Sequence, residues 1–288
     1  MQYICGTGCI ARMSVIAQQP LSFANVDGLA FAEERGRLSA STFEAPFSAR
    51  DLGPILELMH LAATKSILSP NRSRWIALGN LDALCSALNS TQSQWLSPQD
   101  RLSGFYRTQA PIPRDDTSWI AFRFAAQQAA IACGFRKQVA AQLIGAIGEM
   151  QSNIYEHSDA SATGLIAFNA APGIFEFVIA DRGIGILKSL KTSSRYASLS
   201  DHGNALQLVL QDGVSRHAPG TGHGNGFRPL FIGLANLNGS LRFRSGDCAL
   251  TIDGMNPTLM THKLSQKPPI AGFFASIACR FDDGGARQ

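Results

Sequence analysis

The chain has 288 residues, 45% of them hydrophobic, with 25 basic side chains against 21 acidic ones and a formal net charge of +4. That length and hydrophobicity support one large core or two smaller ones and exclude a disordered class. No run of about 18 apolar residues occurs, so no membrane span is expected, and so small and scattered a charge excess gives no indication of nucleic acid.

Residues 1–19 lack a basic start followed by an apolar core, so no secretory signal is expected. The six cysteines include no Cys-x-x-Cys pair and only Cys5 and Cys9 lie close together; the spread of the others reads as buried thiols of a reducing cytoplasm. Segments Leu52–Leu68 and Trp75–Leu88 are predicted helical, within a mixed α/β region of residues 1–110 whose side chains suggest no chemistry. Between Thr108 and Ser118, Pro111 and Pro113 in a polar stretch predict a linker.

The second half is more regular. Trp119–Cys133 is alanine-rich and predicted helical, with Gly134 as its stop. From Arg136 to His157, apolar residues recur at Val139, Leu143, Ile144, Ile147, Met150 and Ile154, the spacing of a long amphipathic helix. Gly164–Phe168 and Ile174–Ala180 flank Ala171-Pro172-Gly173 and predict an antiparallel hairpin. Asn204–Leu210 and Phe227–Leu237 are predicted helices, the latter with Pro229 in its first turn. Three strands, Ser240–Arg244, Ala249–Asp253 and Phe273–Phe281, close the chain. Helices beside an antiparallel or mixed sheet make an α+β sandwich the expected class.

Three segments carry candidate chemistry. On the long helix, Gln142, Glu149, Asn153 and His157 fall away from the apolar face. The last three, at i, i+4 spacing, form a polar stripe that either faces water or lines a cleft. The run Asp181-Arg182-Gly183-Ile184-Gly185 ends a hydrophobic strand with a carboxylate and two glycines that permit a tight turn. Gly220-Thr221-Gly222-His223-Gly224-Asn225-Gly226 precedes a predicted helix, where backbone amides and a helix N-terminus favour anionic phosphates. Neither a Walker-type Gly-x-x-x-x-Gly-Lys-Ser/Thr nor a dinucleotide Gly-x-Gly-x-x-Gly is present.

In order and spacing, these segments resemble the Bergerat-fold, histidine kinase-like ATPases, a superfamily that includes gyrase, heat-shock chaperone ATPases, sensor kinases and mismatch-repair proteins. The resemblance covers roughly residues 118–281. It implies a two-layer α/β sandwich with an ATP-binding domain at 118–283, preceded by a smaller regulatory or partner-binding domain at 1–110. It implies ATP and Mg2+ as cofactors: Asn153 as the magnesium ligand, Glu149 as general base or water-orienting acid, and His157 near the phosphates. Asp181 would accept from the adenine amine, with Gly183 and Gly185 behind it. Gly220, Thr221, Gly222, His223, Gly224, Asn225 and Gly226 would cradle phosphates. Leu187–Pro219 would be the lid, offering Lys188, Lys191, Arg195, Arg216 and His217. Two departures stand out: Phe227 replaces the usual leucine, and Gly272-Phe273 stands where a Gly-Thr pair is frequent.

His60, with Thr64 four residues on, falls short of a phospho-accepting histidine motif because Leu61 occupies the acid position, so it is read as an ordinary helix residue. The resemblance is closest in style to the soluble anti-sigma serine kinases, which phosphorylate a protein partner. It implies a cytoplasmic signalling protein that binds an antagonist or regulated factor. The alternatives are a non-catalytic, nucleotide-gated interaction module and a clamp that homodimerises on ATP.

Overall fold

The computed structural model of the chain describes residues 18–39, 47–64, 75–110, 116–210, 239–252 and 262–281. The N-terminal elements form a small parallel sheet with its connecting helices. Strand β1 (Gln19–Pro20) leads into α1 (Phe23–Glu34), β2 (Phe47–Ser48) into α2 (Leu52–Ala62), and β3 (Ile76–Ala77) through a 3₁₀ turn into α3 (Asp82–Leu88). The strands lie in the order β1-β2-β3. Helix α1 starts at a reciprocal cap in which Ser22 Oγ accepts from Asn25 N and Asn25 Oδ1 accepts from Ser22 N, a pairing that satisfies two orphan donors. The predicted helix from Trp75 is corrected here. Residues 76–77 pair with β2 and Trp75 is fully buried, so tertiary pairing overrides helical propensity and the helix begins only at Asp82.

Among the described residues, six strands form the main sheet, all antiparallel, in the order β4-β5-β6-β7-β9-β8. They are β4 (Gln94–Leu96), β5 (Ser103–Arg107), β6 (Leu165–Ala171), β7 (Ile174–Asp181), β8 (Ser240–Ile252) and β9 (Lys263–Arg280). The described structure is thus α+β. Strands β6 and β7 are the predicted hairpin, turning at Gly173 with φ of 74°. Helices α4 (Thr117–Ala132) and α5 (Lys137–His157) match the two predicted long helices. The two short helices α6 (Gly185–Lys191) and α7 (His202–Leu208) follow β7. The predicted helix 227–237 and the glycine-rich segment 220–226 lie outside the described residues.

Three closing strands were expected and two are found among the described residues, because β8 runs through Gly246 without stopping. Gly246, at φ of 59°, sits at a register shift: it pairs with Ile270, while Cys248 pairs with Gln266. Residues 267–269 fall between those pairs, so Pro268 and Pro269 occupy a bulge where no ladder N–H is required. A break in the one-dimensional pattern is therefore an irregularity within one long hairpin.

Alternation along the strands divides the core between the two sheet faces. Ile166, Phe168, Phe175, Phe177, Ile179 and Ile277 pack with α4 and α5. Ala167, Val178, Ala180 and Phe274 pack with Leu52, Ile55, Leu56 and Leu58 of α2, and with α1 and α3. The N-terminal elements thus cover the second face. Strand β5, from the first 110 residues, pairs with β6, and the ends of the expected linker are tied down. Thr108 N donates to Gly164 O at 3.0 Å. Asp116 accepts from Trp119 N at 2.8 Å, capping α4, and from the Tyr106 hydroxyl. The boundary expected at 110–118 lies between a strand and a helix that pack against each other, not between two sheets.

A buried ionic network joins the N-terminal helices to the sheet. Glu57, on α2 and fully buried, accepts from Arg242 Nε at 2.5 Å and from Arg244 Nη1 at 2.6 Å. Arg242 Nη2 also donates to Asp27 of α1 at 2.6 Å, and Lys267 lies 2.8 Å from the other oxygen of Asp27. Arg244 Nη2 donates to the Pro268 carbonyl at the bulge. A second tie is Glu176 of β7, whose carboxylate accepts from Leu52 N at 3.2 Å at the start of α2. It supplies the helix with an N-terminal partner that Asp51 does not provide. Burial pushes the Glu176 carboxyl up to about 7, against the opposing hydrogen bonds from Leu52 and Asn169.

Removing one member of this network leaves buried charge without compensation. Glu57→Gln is expected to lower stability by roughly 3–5 kcal/mol, measured by urea unfolding. A loss below about 1 kcal/mol would show that the network does not hold the layers together.

Candidate functional site

The polar stripe lies on α5. Its apolar side is buried at Leu143, Ile144, Ile147, Met150 and Ile154, whereas Glu149 is exposed and Asn153 and His157 are half-buried. His157 Nε2 lies 3.9 Å from Glu156 Oε2. Helix α5 caps at Ser158, and the loop after β7 sits directly on that residue. Ile184 N donates to Ser158 O at 2.8 Å, and a Cβ on Gly183 would fall 1.9 Å from the same oxygen. The first two sequence segments are therefore brought together through the residue that follows His157. The third lies outside the described residues.

Asp181 ends β7. It shares the parity of Phe175, Phe177 and Ile179, which places it on the face covered by α4 and α5. It is 4% exposed, and its Oδ1 accepts from Gly183 N at 2.8 Å. Among the described residues no donor takes Oδ2. Burial pushes the carboxyl up to about 6, and the Gly183 hydrogen bond only partly opposes this.

Glycines make this turn possible, and they do so by admitting protein backbone. Gly185 has φ of 72°, and a Cβ there would lie 2.8 Å from Ser245 Oγ and 2.9 Å from Gly272 O. Gly272, on β9 beside Asp181, has φ of 67°; a Cβ on it would meet Asp181 O at 2.2 Å, Asp181 Oδ1 at 2.6 Å and Gly183 N at 2.6 Å. Ser245 of β8 fastens the corner by donating to Gly272 O at 2.9 Å and accepting from Ile186 N at 3.0 Å. Ser158, Ser245 and the packing role of Gly272 have no local sequence signal, since each acts through a partner distant in the chain.

Of the expected lid, Lys188 and Lys191 are exposed on α6. Arg195 is exposed too, its guanidinium 5.3 Å from the centroid of the Tyr196 ring. Arg216 and His217 lie outside the described residues. The chain matches no protein-family model, no curated protein and no solved structure.

Two outcomes follow from the geometry around Asp181. Its carboxyl pKa rises from 3.8 unfolded to about 6 folded. The folded chain thus holds a proton that the unfolded chain has released across that window, and stability falls as pH rises through it. Asp181→Asn is expected to stabilise the ligand-free protein at pH above 7 by about 1–3 kcal/mol, with the gain vanishing below pH 3.8, as read by thermal unfolding across pH. Gly272→Ala is expected to cost at least about 1–2 kcal/mol by the same measurement, because alanine is strained at positive φ and its Cβ would displace the Asp181 turn.

Proposed function

We propose that the chain binds ATP with magnesium and uses it as a regulatory switch, as a histidine kinase-like ATPase of the Bergerat type that transfers a phosphoryl group to a protein partner or to water. The observation that carries this reading is Asp181: a buried carboxylate at a strand end, one oxygen fixed by Gly183 N–H and the other without a donor among the described residues, beside the end of the helix that bears Glu149, Asn153 and His157. A buried carboxylate needs a donor, since leaving it unpaired costs several kcal/mol, and the exocyclic amine of adenine is such a donor.

The residues present suit the cofactor. Asp181 would hold the adenine amine and thereby exclude guanine, whose ring carries a carbonyl at the corresponding position. Asn153 would hold magnesium through its amide oxygen, and a cation that keeps several waters and phosphate oxygens needs little more from the protein. Glu149, one turn before Asn153 and exposed, would orient or deprotonate the attacking hydroxyl. His157 and the segment 220–226 would lie toward the phosphates. Bound Mg-ATP supplies the transferable phosphoryl group.

A second reading, a nucleotide-gated interaction module without turnover, is favoured by one feature. Strand β9 carries Gly272 against Asp181, and the adjacent Ala271 carbonyl lies 2.9 Å from His60 Nε2 on α2. The candidate site is therefore one residue away from the N-terminal layer.

Titration calorimetry with Mg-ATP tests the first reading. Wild type is expected to bind in the micromolar range and to prefer ATP over GTP, with binding lost in both Asn153→Ala and Asp181→Asn. Absence of binding by any adenine nucleotide would overturn it. Glu149→Gln separates the two readings: it is expected to keep binding within a few-fold while lowering ATP turnover by about 10²-fold or more. Binding of Mg-ATP with no measurable turnover in wild type would favour the module.

A further inference from the structure

The face of the sheet opposite Asp181 holds a cleft of about 410 Å³ that the nucleotide reading does not use. Its volume lies within the range of small-molecule sites. The floor is apolar, made by Leu56 and Met59 of α2 with Val178 and Phe274 of the sheet. Its polar groups are all basic or neutral. Arg107 of β5, Arg182 after β7 and His60 of α2 contribute to the wall, and among the described residues no aspartate or glutamate does.

Strand parity explains why two arginines meet there. Val178, Ala180 and Arg182 alternate with Ile179 and Asp181, so consecutive residues Asp181 and Arg182 serve opposite faces of the sheet. The Arg182 backbone is held by Thr163, whose Oγ1 accepts from Arg182 N at 2.9 Å. Arg107 is held on neutral acceptors: its Nη2 donates to Leu88 O at 2.6 Å and its Nε to Gln92 O at 3.2 Å. Among the described residues neither guanidinium has a carboxylate partner. Burial holds Arg107 below its ordinary basicity, and the charge of Arg182 adds to that effect. Two like charges facing one part-apolar cavity repel, and an anion placed between them reverses the sign of that term.

We propose that this cleft binds an amphipathic anion, an acyl or aryl chain seated on Leu56, Met59, Val178 and Phe274 with a carboxylate or phosphate head between Arg107 and Arg182. The apolar floor disfavours a bare inorganic ion. The paired guanidiniums disfavour a neutral lipid or alcohol of the same length.

Calorimetry of the full chain with octanoate, octyl phosphate and 1-octanol tests this. At least one of the anions is expected to bind about tenfold or more tightly than the alcohol, in line with the strength of a charge-assisted hydrogen bond. The ratio of the two anions then identifies the head group. Arg182→Gln is expected to remove that advantage, and Ala63→Phe at the rim to block all three ligands. Mg-ATP in excess is expected not to displace the anion. Equal affinity for anion and alcohol, no binding of any of the three, an unchanged anion affinity in Arg182→Gln, or displacement by Mg-ATP would each overturn the proposal. Circular dichroism and thermal unfolding of both variants establish that a lost signal is not lost folding.

Discussion

Glu57 is the constraint on which the arrangement depends. A fully buried carboxylate is tolerable only when its charge is matched and its lone pairs are filled. Arg242 and Arg244 do this from adjacent same-face positions of β8, while Asp27 and Lys267 extend the network to α1 and β9. These contacts cross more than 180 residues of sequence. They have definite geometry and add directional contacts to the apolar packing between the same elements. The network carries a cost in desolvation that a wholly apolar interface would avoid.

Strand β9 is the element through which the remaining parts meet. It lies between β7 and β8, carries the bulge at Pro268 and Pro269, and brings Ala271 and Gly272 between the N-terminal layer and the Asp181 turn. The bulge has a use beyond accommodating proline: it frees the Pro268 carbonyl to accept from Arg244, so the same irregularity that interrupts the ladder completes the ionic network. Asp181 and Glu176, on the neighbouring strand, are both held above their ordinary pKa by burial. One caps a helix across the sheet; the other has an open oxygen and no second partner among the described residues.

Helices α4 and α5 and the β6–β7 hairpin were legible because each obeys its local rule: alanine-rich composition, apolar residues at three-four spacing, and a Pro-Gly turn between hydrophobic runs. The expected division of the chain near residues 110–118 rests on composition alone. Composition around Pro111 and Pro113 carries no information about which strands pair with one another, and β5 pairs with β6. The strand at Ile76 was misread for a related reason, since two residues of parallel pairing are too short to impose a period on the sequence.

For the candidate site, the sequence by itself determined the chemistry that is available: an acid, an amide and an imidazole on one helix, and a carboxylate with two glycines at a strand end. Those are properties of residue type and spacing, and helix and strand periodicity carry them directly. Only the tertiary structure decided that the two segments meet at Ser158, that Gly272 shapes the Asp181 turn, and that Arg182 joins Arg107 over an apolar floor on the opposite face. Each of these depends on the register and face of a strand distant in sequence, which long-range packing sets and no local pattern encodes.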